Sequence, residues 1–249
     1  GGLGAAIREL LPLLDGQCLT AAGKTVEEVY RHMPVYRREV IASLERPFKK
    51  DSSIAVVKGN LAPHGAVIKR SACSPHLLKH RGKAVVFEDY DDILERIHRE
   101  DLDADEQSVL VLKNCGPAAI GMPEWGAIPI PAKLLKKGVR DLVRISDARM
   151  SGTSYGAVVL HVAPEAYLGG PLAAVENGDW IELDVPAGTL QLLVEPSVIQ
   201  ARLARREKPK PRHVRGYPRL FAEHVLQAHE GCDLDFLRPQ RKEEAAFVP

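Results

Sequence analysis

The chain has 249 residues, 45% apolar and 27% charged. That suits one large domain or two small ones, with a core that hides about 70% of the unfolded surface. Thirty-four Lys and Arg against 33 Asp and Glu leave a net charge of +1, and aromatics make up 5%, which removes the electrostatic and base-stacking arguments for a nucleic-acid partner. No run approaches the roughly 20 apolar residues of a membrane helix.

In chain order, the opening Gly1-Gly2-Leu3-Gly4, with no initiator Met and no signal-peptide pattern, reads as a Gly-rich turn running into a helix. The chain reads as a piece of something longer. Residues 5–14 carry apolar positions at helical spacing (Ala6, Leu10, Leu13, Leu14), with Gly16 as the expected stop. Leu19–Thr25 reads as an extended piece and a turn, with Thr25 placed to cap a second short helix. The stretch Arg37–Ser52 is irregular and charged, with 46–51 as a linker.

Beyond it, short β-rich runs alternate with Gly, Pro and Asn turns: Ile54–Lys58, Ala66–Lys69, Lys83–Phe87, Val109–Lys113, Ala157–Val162, Trp180–Asp184 and Leu190–Val194. Helices are expected at Tyr90–Glu100, Pro131–Lys137, Pro196–Arg205 and within Tyr217–His229. The basic tract 202–219, with Pro209 and Pro211 inside it, reads as a solvated linker. Irregular crossovers between short strands point to an α/β chain whose main part, 53–249, is a mixed β-barrel flanked by helices. The four cysteines, Cys18, Cys73, Cys115 and Cys232, lie far apart with no zinc-type spacing. Each is expected to be a buried or half-buried thiol in a reducing, cytoplasmic compartment.

Three segments are too rich in Gly, Pro and polar residues to be ordinary connectors: 58–67, 114–126 and 146–156. In the second, Glu124 is the only carboxylate of a Gly/Pro loop. Such a group suits a hard cation such as Mg²⁺, or merely caps a turn. In the third, Ser151, Thr153 and Ser154 stand between glycines. They form either a Ser-rich turn or a lining for an anion or polyol. A serine nucleophile or base needs activation, and no G-x-S-x-G elbow is present. The nearby His161 lies in an apolar run, where a lone His is expected to be a satisfied core residue.

Taken in order, several motifs resemble the C-terminal portion of the dihydroxy-acid and sugar-acid dehydratase family. They are Leu19-Thr20 with Gly23-Lys24-Thr25, Gly59-Asn60-Leu61-Ala62-Pro63, Gly116-Pro117, Gly121-Met122-Pro123-Glu124, Asp147-Ala148-Arg149-Met150-Ser151-Gly152-Thr153, Pro164-Glu165-Ala166 with Gly169-Gly170-Pro171, and Gly178-Asp179. The wording from Asp147 to Gly156, Met122–Gly126 and the ending Glu230–Leu237 is most similar to pentonate dehydratases acting on arabinonate or xylonate.

The resemblance implies a swivelling-type C-terminal β-barrel over 53–249, preceded by a remnant (1–52) of an N-terminal α/β domain. It implies a hydro-lyase that converts a 2,3-dihydroxy acid to the 2-keto-3-deoxy acid with a [2Fe–2S] cluster and Mg²⁺. Ser151 maps to the catalytic base, Thr153 to a neighbouring active-site hydroxyl and Glu124 to a Mg²⁺ ligand. None of the four cysteines maps to a cluster position. The cluster ligands and the other Mg²⁺ ligands are expected in an N-terminal domain or subunit, which makes this chain inactive alone and the full enzyme a homo-oligomer. The alternatives are the dihydroxy-acid dehydratase of branched-chain amino-acid synthesis and a non-catalytic module binding a sugar acid or a partner. His64 departs from the pattern, which commonly has an acidic residue after Ala62-Pro63.

Overall fold

A computed structural model describes residues 1–50, 52–122 and 128–238. The chain divides into two units, Gly1–Ser52 and Ser53–Pro249.

The first unit holds α1 (Gly2–Leu10), a 3-10 turn (Leu11–Leu13) and α2 (Val26–Tyr30). The first helix stops well before Gly16. Pro12 has no N–H to continue the ladder, and the Leu11 N–H closes on Arg8 O in 3-10 fashion. Thr25 caps α2 as expected: its Oγ1 accepts the Glu28 N–H at 3.2 Å, and the Glu28 carboxylate accepts the Thr25 N–H at 2.7 Å. Ala5 is the only buried residue among those described in this unit, and Leu3, Leu13, Leu19 and Phe48 are exposed.

Among the described residues, the second unit is built on eight strands: β1 (Ala55–Val57), β2 (Gly65–Ile68), β3 (Lys79–Phe87), β4 (Val109–Leu112), β5 (Val143–Ser146), β6 (Val158–Ala163), β7 (Trp180–Asp184) and β8 (Thr189–Leu192). They form one sheet in the order β1-β2-β6-β5-β4-β3-β7-β8. The β3–β4, β4–β5 and β5–β6 pairs are parallel and the others antiparallel. The sheet curls until its edges meet. The Lys58 N–H donates to Gly188 O and Lys58 O accepts the Leu190 N–H, each at 2.9 Å. This gives the barrel-like α/β architecture expected for the unit.

Asn60 extends that seam with its side chain. Its Oδ1 accepts the Leu192 N–H at 2.7 Å and its Nδ2 donates to Leu192 O at 2.8 Å, the pair of bonds a strand residue would make with its backbone. Gly59 lets the two chains close: a Cβ there would stand 2.0 Å from Leu190 O.

Alternating side chains supply two cores, one on each face of the sheet. Ile68, Val86, Val111, Ile145, Ile181 and Leu190 fill the barrel. Phe87, Leu110, Leu112 and Leu160 face outward, beneath α3 (Tyr90–Arg96) and α5 (Ala132–Lys136), whose Ile93 and Leu134 cover them. Burial on both faces explains why β4 reads Val-Leu-Val-Leu without a polar position.

The structure departs from expectation at four further places. The strand β5 was not anticipated, because Val-Arg-Ile-Ser puts a charge where a buried run is the usual signal; Arg144 is nonetheless buried. A four-residue helix, α4 (Pro117–Ile120), occupies part of what reads as a loop. The basic tract does not begin as a linker: α6 (Pro196–Arg205) includes Arg202, whose guanidinium grips Asp179 with bonds of 2.5 and 3.1 Å. The tract also enters the last helix, α7 (Tyr217–His224). Finally, Cys18 is exposed rather than buried. No helix among the described residues is long and apolar enough to cross a membrane.

Candidate active site

Strands β5 and β6 are parallel neighbours, so the chain leaving the end of β5 must travel back to the start of β6. It does so through residues 147–157 without any helix. This crossover carries Ser151 and Thr153, and buried hydrogen bonds fix both of its ends.

At its start, Asp147 is fully buried. Oδ1 accepts the Cys115 N–H and Oδ2 the Ala166 N–H, each at 2.8 Å, which joins the ends of β4, β5 and β6. Burial pushes the Asp147 carboxyl up to about 7, against the pull of these two donors, and nearby Glu165 adds to the rise. Glu165 accepts the Ala118 and Ala119 N–H groups of α4 at 3.0 and 3.1 Å and the Gln227 side-chain amide at 2.6 Å. It thus satisfies donors that the first turn of a helix leaves open. Burial raises its pKa as well, opposed by Gln227 and the two backbone donors. Gly116 is required beneath it, since a Cβ would come within 2.3 Å of Oε2.

In the middle, His161 of β6 holds the crossover down. Its backbone adopts φ 59°, its N–H donates to Ala148 O at 2.9 Å, and Nε2 accepts the Met150 N–H at 2.8 Å. The ring is half-buried, and desolvation, then the charge of Arg149, depress its pKa. His161 is therefore a satisfied interior residue that also positions the segment just before Ser151.

Ser151 is buried and Thr153 exposed. The Ser151 Oγ lies 2.9 Å from Thr153 Oγ1 and accepts the Thr153 N–H at 3.2 Å. The turn is closed by Ser154, whose Oγ accepts the Ser151 N–H and whose N–H donates to Ser151 O, both at 3.1 Å. Lys69 Nζ donates to Gly152 O at 2.5 Å. The structure thus brings the two expected hydroxyls together. The Thr153 N–H directed at Oγ favours negative charge there, as a proton-accepting serine requires.

At its far end, Arg144 clamps the crossover. Its Nη2 donates to Tyr155 O and its Nη1 to Ile128 O, each at 2.9 Å, and it pairs with buried Asp141 at 3.3 Å. Asp141 in turn accepts the N–H groups of Ala157 at 2.8 Å and Ser74 at 2.9 Å. Gly156, at φ 89°, leaves room for this pair, where a Cβ would meet Arg144 Nη2 at 2.2 Å. Ile128 is the first described residue after the segment that holds Glu124. Glu124 itself lies outside the described residues.

Among the described residues, no group of three or more His, Cys, Asp or Glu is arranged to hold a metal ion. Cys73 and Cys115 are buried in the two separate cores, and burial raises both thiols, Cys73 to about 12. Neither is a ready thiolate ligand. Sequence reasoning missed the positioning roles of Arg144, Asp141, Glu165 and Lys69. Their partners are mostly backbone groups distant in sequence, which no local pattern announces.

A family profile described as dihydroxy-acid/6-phosphogluconate dehydratase C-terminal matches residues 39–232. The chain is 55% identical to L-arabonate dehydratase of Azospirillum brasilense over 249 residues, covering 95% of this chain and 42% of the relative. It is 48% identical to L-arabinonate dehydratase of Rhizobium leguminosarum bv. trifolii, with 96% and 42% covered. Identity falls to 38% against dihydroxy-acid dehydratase of Acetivibrio thermocellus, with 94% and 42% covered. The chain therefore spans less than half the length of the curated relatives it matches.

Proposed function

The chain belongs to the dihydroxy-acid/6-phosphogluconate dehydratase family, and on that premise we propose that it is the C-terminal part of a sugar-acid dehydratase. The reaction removes water from a 2,3-dihydroxy acid such as a pentonate and yields the 2-keto-3-deoxy acid. The higher identity to arabonate and arabinonate dehydratases than to dihydroxy-acid dehydratase supports a sugar acid as substrate.

One observation carries the assignment of the base: the buried Ser151 Oγ accepts the Thr153 N–H and sits in hydrogen-bond contact with the Thr153 hydroxyl. In the proposed step Ser151 Oγ, as the alkoxide, takes the proton from C2 of the substrate, the C–H electron pair forms the C2–C3 double bond as the bond from C3 to its hydroxyl breaks, and Oγ returns that proton to the departing hydroxide, which leaves as water and regenerates the alkoxide. The resulting enol tautomerises to the ketone. Thr153 holds the serine oxygen in place and donates to it while it is ionised. His161, Asp147 and Arg144 keep the crossover in the geometry this needs.

The family resemblance also implies a [2Fe–2S] cluster and Mg²⁺, which supply Lewis acidity toward the leaving hydroxyl and the substrate carboxylate. The described residues do not fit the cluster, since they hold no three-ligand set and the buried thiols are raised. For Mg²⁺ the chain offers Glu124. No step is routed through either group. We assign the cluster ligands to an N-terminal dehydratase domain or subunit, and residues 1–52 to a remnant of that domain. The near absence of buried residues among those described in Gly1–Ser52 supports the latter. A cytoplasmic location and a homo-oligomeric full-length enzyme belong to the same proposal.

The test is reconstitution. The 249-residue chain is co-expressed with the N-terminal part of an arabinonate dehydratase, and 2-keto acid formation from L-arabinonate is followed. Activity in the pair, none in either part, and its loss in Ser151→Ala are expected. Full activity with Ser151→Ala would overturn the base assignment. A folded pair that never turns over would favour the non-catalytic module.

A further inference from the structure

His64 stands at the departure from the family pattern, and the structure gives it an unforeseen partner. Its Nδ1 lies 2.9 Å from His229 Nε2, with ring centroids 4.3 Å apart and the planes at 74°. Both rings are exposed. A neutral imidazole-to-imidazole hydrogen bond in water is worth little, yet two chain segments far apart in sequence are fixed so that the nitrogens face each other.

The frame that fixes them does not involve the rings. The His64 N–H donates to Ala163 O at 3.0 Å. Two residues on, the Glu165 N–H donates to Gln227 Oε1 at 2.9 Å, and Gln227 Nε2 returns a bond to the Glu165 carboxylate at 2.6 Å. Gln227 then opens the 3-10 turn Ala228–Glu230, which carries His229. One short stretch at the end of β6 therefore anchors both histidine backbones. Such preorganisation is what a chelating pair needs.

The 2.9 Å spacing, ordinary for a hydrogen bond, is also one that a chelating pair takes. Two nitrogens each about 2.0–2.1 Å from a metal and at right angles around it stand about 2.9 Å apart. We propose that His64 Nδ1 and His229 Nε2 form a site for a divalent transition-metal ion that favours imidazole and right-angle coordination, such as Cu²⁺ or Ni²⁺. No third His, Cys, Asp or Glu completes the set among the described residues, so water fills the remaining positions. Entry of the ion requires one tautomer change. The ring that donates in the metal-free pair moves its N–H to its other nitrogen, so both lone pairs face the ion and no net proton is released. Hard Mg²⁺ prefers oxygen ligands and does not compete. The site is independent of the dehydratase reading.

Cu²⁺ and Ni²⁺ titrated separately into the 249-residue chain test it. One ion per chain is expected, with electron paramagnetic resonance of the copper form showing two imidazole nitrogens. His64→Ala and His229→Ala should each weaken binding by roughly tenfold or more, while Cys232→Ala and excess Mg²⁺ leave it unchanged. Thermal melting of each variant reports that the fold is intact. Unchanged affinity in both histidine variants, or a copper spectrum lacking two nitrogens from these rings, would overturn the site as merely adventitious surface binding.

Discussion

His161 accepts the Met150 N–H through Nε2 at 2.8 Å, so the ring must be neutral at that nitrogen for the Ser151 segment to be held. Its pKa is depressed by burial and by Arg149 from an ordinary value of 6.5. Between that value and the lower folded one, the unfolded chain binds more protons. Stability from this group is therefore fully present above pH 6.5 and is lost as pH falls through that window. His161→Ala should cost about 1–3 kcal/mol, from the orphaned amide. His161→Gln, which keeps an acceptor, should recover part of that loss and flatten the pH dependence. Denaturant melts at stepped pH measure both, and a flat profile for the native chain would contradict the reading.

Asn60 uses both ends of its amide on Leu192. In Asn60→Asp a carboxylate would keep the acceptor but face the Leu192 carbonyl with a second oxygen. The expected loss at neutral pH is about 2–3 kcal/mol, as large as that of Asn60→Ala or larger. Lowering the pH through the carboxyl pKa restores a donor. Asn60→Asp alone should then regain stability as the solution is acidified, which melting curves would reveal.

Two glycines should respond in opposite ways. Gly59→Ala drives a Cβ to 2.0 Å from a backbone oxygen in the barrel seam, whereas nothing lies within 4 Å of a Cβ at Gly152. The first should lose about 2–4 kcal/mol and the second stay within about 0.5 kcal/mol. Equal melting temperatures for the two would show the seam to be more pliable than its geometry implies.

Removing Arg144 leaves the buried Asp141 side chain without the cation it pairs with. Arg144→Met should cost about 3–5 kcal/mol, and Asp141→Asn in that background should return part of it. A double-mutant cycle in urea measures the coupling, and a value near zero would contradict the clamp.

Much of the barrel was legible because most of its strands are short apolar or alternating runs bounded by turns. What hid was β5, whose Arg144 makes the run look exposed. The charge is buried because Asp141, Ile128 O, Leu142 O and Tyr155 O receive it, and all of those partners lie outside the helices and strands. At the site, Ser151 and Thr153 stood out through the resemblance of their motif, and the structure adds that they touch. Asp147 lay inside that motif and Glu165 inside another, but their duties were not readable. Each serves backbone amides 19 to 47 positions away, a relation that exists only once the strands have assembled.

The seam between Lys58 and β8 has a consequence for biogenesis. Asn60 waits for a partner 132 positions downstream, so on a ribosome the barrel cannot shut until Leu192 has emerged. Loop closure over that span is slow compared with local folding. Until then β1 offers an open edge of the kind that pairs with foreign strands. Nascent chains paused before β8 should be the form most in need of a chaperone.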